Sequence, residues 1–98
     1  MSTTVFTYEM GISHHDLHRI LPHAAQHRDY DILIDEGRIH IHEEDKTVVI
    51  VYGPERKHQI ALLWTHMIDI EFHYHGYDED EAKAYHDHIM RCYQRGGG

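Results

Sequence analysis

RIHIHEEDKTVVIVY, residues 38–52, decides the fold. Its first part alternates, with Ile39 and Ile41 on one side and His40 and His42 on the other, the period of a strand with one dry face and one wet face. Glu44-Asp45-Lys46 then turns the chain. The return segment, Thr47 to Tyr52, is different in kind: Val48-Val49-Ile50-Val51 is apolar on both faces. An antiparallel strand facing water on one side should alternate, so this one predicts burial on both sides.

Moving outward, Tyr30, Ile32 and Ile34 alternate with Asp31, Leu33 and Asp35, and Glu36-Gly37 makes a tight reversal into Arg38. On the other side, Gly53-Pro54 opens a loop. Gln59 to Trp64 reads as a second segment apolar on both faces. Met67 to Tyr74 alternates, with Ile68, Ile70, Phe72 and Tyr74 opposing Asp69, Glu71, His73 and His75. The join at Thr65-His66 reads as a hairpin or as a bend within one long strand.

The ends carry the helices. Thr4 to Met10 has strand alternation, and Gly11 stops it. Ser13 with Asp16 reads as an N-cap, followed by Leu17, Ile20, Leu21 and Ala24 at helical spacing. Pro22 lacks the N–H that would bond back to His18, which predicts a kink or break and an end near Gln26. Near the C-terminus Asp78 and Glu81 form a capping box, and Ala82, Tyr85, Ile89, Cys92 and Tyr93 form an apolar stripe. The order is β-α-β-β-β-β(-β)-α. It predicts an α+β, two-layer fold with an antiparallel β-sheet of five or six strands and two helices on one face. On element order alone it resembles the half-repeat of TATA-binding-protein-like and helix-grip architectures, which carries no implication for function. Residues 1–95 form one domain, and 96–98 read as a flexible glycine tail.

With Phe6, Ile32, Ile39, Ile50, Leu62 and Ile70 toward the helices, the open face carries Val5, Leu33, Val49, Val51, Ala61 and Leu63. An uncovered apolar band of this kind marks an interface. The expectation is a homodimer, or another protein partner, seated on Val49, Val51, Leu63, Leu33, His40 and His42. The alternative is cover from a loop or from the first helix within one subunit. Thirteen histidines against a net charge of −8 would reverse the sign of the chain if all were protonated, and a dimer that buries His40, His42 or His73 should loosen near pH 5.5 because the gained charges repel.

The same histidines suggest metal chemistry. His14 and His18 lie four apart on the first helix, and His73 and His75 share one face of a strand. If Thr65-His66 is a hairpin and the last strand neighbours the first, those four converge on a transition metal such as Zn²⁺. His40 and His42, in a simple meander, sit about 14 Å from His73, beyond reach within one chain. His86 and His88 are about 200° apart around a helix and read as flanking its stripe. His23 and His27 read as solvated.

Catalytic signals are weak. Asp69, Glu71 and His73 make a minimal acid–base set, but chance supplies such neighbours at this composition. Cys92 lies near a helix C-terminus, where the dipole disfavours a thiolate. There is no phosphate loop and no nucleophile elbow. The acidic balance argues against nucleic acid, no apolar run has membrane length, and a lone cysteine points to a reducing, cytoplasmic setting. The reading is a small non-catalytic binding or assembly protein that dimerises through its open sheet face. Its alternatives are a histidine-rich Zn, Ni or Cu binder and, after that, a small acid–base enzyme; no cofactor is required.

Overall fold

In the computed structural model, which describes residues 3–96, six strands form one antiparallel sheet. The strands are β1 (Thr3–Met10), β2 (Asp29–Leu33), β3 (Arg38–Glu43), β4 (Lys46–Tyr52), β5 (Arg56–Ile60) and β6 (Leu63–His75). The helices are α1 (His14–Ala25) and α2 (Glu79–Gly96). The fold is the two-layer α+β arrangement, in the order β-α-β-β-β-β-β-α. Across the sheet the order is β1-β6-β4-β3-β2, and β5 pairs with β6 beyond the end of β4.

The alternation sets the layers. Ile39, Ile41, Val48, Ile50, Ile68, Ile70, Phe72 and Tyr74 are fully buried, and they meet Leu17, Leu21, Ala24, Ala82, Ile89 and Tyr93 of the two helices. Each large side chain removed from water contributes about 1.5–3 kcal/mol. Tyrosine hydroxyls tie the helices together: Tyr85 donates to the Ala24 carbonyl at 2.9 Å and Tyr93 to the Leu17 carbonyl at 3.2 Å.

Local signals place the element ends. The Ser13 hydroxyl accepts from the Asp16 N–H at 3.1 Å, opening α1. In the capping box of α2, Asp78 accepts from the Glu81 N–H at 2.8 Å and Glu81 accepts from the Asp78 N–H at 3.2 Å. A 3₁₀ turn, Ile34–Glu36, ends on Gly37 at φ 65°, where a Cβ would stand 2.6 Å from the Tyr52 carbonyl oxygen. Only glycine fits there.

Two expectations change, and one open alternative is decided. α1 continues through Pro22 to Ala25 and stops at Gln26, whose φ is 60°. The proline lies in the final turn, so it removes a single helical bond, and its own carbonyl still accepts from Gln26. Residues 59–64 are not a two-sided strand but the end of a hairpin. Ala61, at φ 55°, turns the chain, and Leu62 is 91% exposed rather than facing the helices. The Thr65-His66 join lies inside β6, which runs unbroken for 13 residues. Of the expected glycine tail, Gly96 ends α2 and residues 97–98 lie outside the described residues. Among the described residues no helix is long and apolar enough to cross a membrane.

Candidate functional site: the open face of the sheet

The register brings the odd side chains of β1 and β6 and their partners on β4, β3 and β2 into three rows on the face away from the helices. The first row is Thr3, His75, Thr47, His42, Asp29; the second is Val5, His73, Val49, His40, Asp31; the third is Thr7, Glu71, Val51, Arg38, Leu33. β4 therefore presents Val49 and Val51 as a central apolar column, half-buried by its neighbours. Histidine pairs flank it on both sides. Val5 and Leu33 lie further out, exposed by 47% and 37%.

Two sequence expectations are altered by this topology. His40 and His42 are not three strands from His73 and His75; only β4 intervenes, a separation of about 10 Å. The convergence of His14 and His18 with His73 and His75 does not occur, because β6 runs antiparallel to β1. Met10, beside the start of α1, pairs with Ile68, so His73 lies about 17 Å further along β6. Among the described residues no three histidine, cysteine or acidic side chains stand together as a ready metal group.

His14 and His18 instead fasten α1 to the end of β4. The His14 Nε2–H donates to the Gly53 carbonyl at 2.8 Å, and His18 Nε2 lies 2.8 Å from the Tyr52 hydroxyl. Burial, reinforced by His14 and His15 nearby, lowers the pKa of His18, and burial raises that of Tyr52. Leu63, grouped from sequence with Val49 and Val51, sits at the tip of the β5–β6 hairpin beside Trp64, about 33 Å along β6 from His73. The other five expected interface residues share the open face.

Three of the four open-face histidines, His42, His73 and His75, are oriented through one ring nitrogen. His73 Nε2 lies 2.9 Å from Glu71 Oε1, His42 Nε2 lies 3.3 Å from Asp31 Oδ2, and His75 Nδ1 lies 3.2 Å from the Thr3 hydroxyl. His40 Nε2 is buried without a hydrogen-bond partner. Its neighbour two residues along β3, His42, has its ring centroid 6.0 Å away, and the His73 and His75 rings stack at 6.3 Å.

Neither the protein-family models nor the curated proteins compared with this chain match it.

His86 is the residue that sequence reading missed. It is 4% exposed, stacked on Phe6 at 3.9 Å, with Nε2 at 2.7 Å from the Tyr8 hydroxyl and Nδ1 at 2.7 Å from the Tyr74 hydroxyl. Among the described residues the fully buried Tyr74 hydroxyl has no other partner, so it donates to Nδ1; Nε2–H then donates to Tyr8. Burial lowers the His86 pKa to about 4. Near neutral pH it is a neutral connector inside the core. The only hint in the sequence is its place one residue after Tyr85, on the flank of the apolar stripe. At the far end of the sheet, Arg28 lies over the Tyr85 ring at 3.9 Å and 3.2 Å from Glu43, while Lys46 bonds Glu81 at 2.6 Å. These pairs close the gap between α2 and the β3–β4 turn.

Proposed function

We propose that this chain is a non-catalytic assembly protein that pairs with a second copy through the open face of its sheet. One observation carries the reading: β4 is apolar on both sides, and its outward column, Val49 and Val51, lies at the middle of a five-strand face. Water on that column is a cost that a second sheet removes.

The flanking columns favour a copy of the same chain over an unrelated partner. Take a two-fold axis parallel to β4, midway between two stacked sheets. Val49 and Val51 then meet themselves, β6 of one copy lies over β3 of the other, and Glu71 comes over the partner's Arg38. The match occurs twice, once on each side of the axis. Five strands at about 4.8 Å and six residues at about 3.4 Å give roughly 480 Å² per copy, so that about 1,000 Å² is buried in total. That is at the lower bound for a specific interface. The histidine–carboxylate pair, His73 with Glu71, lies on this flat face rather than in a cleft, which favours assembly over acid–base chemistry. The lone Cys92 and the acidic balance support a reducing, cytoplasmic setting without nucleic acid.

The test is sedimentation velocity in chelator at micromolar concentration. Wild type should sediment as a dimer near pH 8. Val49→Arg should sediment as a folded monomer with the wild-type circular-dichroism spectrum, since its side chain lies outside the helix-facing core. A wild-type monomer, or a Val49→Arg dimer, removes the proposal.

A further inference from the structure

The open-face histidines supply more than a rim to that interface. We infer that the paired sheets hold two transition-metal sites, each built from His40 and His42 of one copy and His73 and His75 of the other. The inference rests on the two-fold pairing proposed above.

The argument begins within one chain. His40 and His42 stand on β3 and His73 and His75 on β6, in matching rows on either side of β4. Val49 fills the space between the second-row pair, and no three ligands gather there. A two-fold axis along β4 changes this arrangement. It carries β6 across to lie over β3 without changing rows, so His73 comes over the partner's His40 and His75 over the partner's His42. Sheets pack about 10 Å apart, and an imidazole reaches about half that distance from its own sheet. Four rings therefore meet in the mid-plane on each side of the valine column.

The ring chemistry fits a metal. A ligating histidine usually has its second nitrogen held by a carboxylate, hydroxyl or carbonyl, which orients the ring. Glu71 does this for His73, Asp31 for His42 and Thr3 for His75. Each of these rings keeps its other nitrogen for a ligand: Nδ1 of His73 and His42, and Nε2 of His75. His40 Nε2 is covered within its own chain without a partner, so the nitrogen that His40 offers an ion is Nδ1. Four neutral imidazoles suit Zn²⁺, Ni²⁺ or Cu²⁺, with zinc accepting the tetrahedral set at about 2.0–2.1 Å. Glu71 and Arg38 close one end of each site by pairing across the interface.

The experiment uses the untagged full-length chain, stripped with chelator and titrated with Zn²⁺, read by native mass spectrometry and sedimentation. One zinc per chain in a dimer is expected. His40→Ala/His42→Ala and His73→Ala/His75→Ala should each bind at least tenfold more weakly. Mixed in equal amounts, the two variants should regain zinc, because a mixed dimer contains one intact site and one empty one. A variant lacking the exposed His23 and His58 should keep its zinc, which separates the site from adventitious surface binding. A mixture that stays zinc-free, or a monomer that holds one zinc, overturns the inference. A chelator-resistant dimer that Val49→Arg breaks and that binds no zinc overturns this inference alone, leaving the assembly reading intact. A chain that stays monomeric with and without zinc overturns both.

Discussion

Replacing His86 with phenylalanine would keep the stack on Phe6 and remove both ring nitrogens from the core. The fully buried Tyr74 hydroxyl would then donate to nothing. An orphaned buried hydroxyl costs about 1–3 kcal/mol, so His86→Phe should lose that much in urea unfolding near neutral pH. Adding Tyr74→Phe removes the orphan and should return about 1 kcal/mol or more, a coupling readable from a double-mutant cycle. The Tyr8 hydroxyl is only partly buried and can turn to water. The same pair of variants separates a pH effect. Native His86 has its pKa lowered to about 4 against an ordinary value of 6.5. The unfolded chain takes up a proton below 6.5 that the native core refuses. The stability contributed by the neutral ring is therefore complete above pH 6.5 and is lost as pH falls from 6.5 to about 4, at about 1.4 kcal/mol per unit. Over that window the wild type should lose roughly 3 kcal/mol that the His86→Phe/Tyr74→Phe variant keeps. The assay is urea unfolding followed by circular dichroism at half-unit pH steps. Parallel pH profiles for the two proteins, or equal stability of the single and double variants, would refute the account of the core.

Two other outcomes follow from geometry already described. Gly37→Ala forces a Cβ to within 2.6 Å of the Tyr52 carbonyl at a φ of 65°, so unfolding should become easier by more than about 1 kcal/mol, measured in urea. Arg38→Glu should weaken the dimer by sedimentation equilibrium, and adding Glu71→Arg should restore it; no recovery would rule out a two-fold axis parallel to β4.

Much of the fold was legible because it is written locally. Alternation in β3 and in the second half of β6 assigned each side chain to a face, and the Asp78–Glu81 box and Ser13 marked where the helices begin. Strand order was not legible, because period two says which face a residue occupies but not which strand lies beside it. That is why the sequence pattern joins His73 and His75 to His14 and His18, whereas the pairing of β6 with β4 puts them opposite His40 and His42. The hairpin tip misled for a related reason. An apolar run without periodicity reads as buried, yet Leu62, Leu63 and Trp64 project beyond the two-layer body. His86 was hidden by its residue type, since a titratable side chain on a helix flank gives no sign that two tyrosines from β1 and β6 will enclose it.

The position of β6 has a consequence for how the protein is made. Besides β5 in its own hairpin, its partners are β4, which immediately precedes that hairpin, and β1, whose Thr3 pairs with His75 across 72 residues of chain. During synthesis the β2–β3–β4 meander can close as it leaves the ribosome, but β1 has no neighbour until nearly the whole chain has been translated. Its Phe6, Tyr8 and Met10 wait in water through most of elongation. A nascent chain stalled before residue 68 should therefore be the species that chaperones hold, and release of the last thirty residues should complete the sheet in one step.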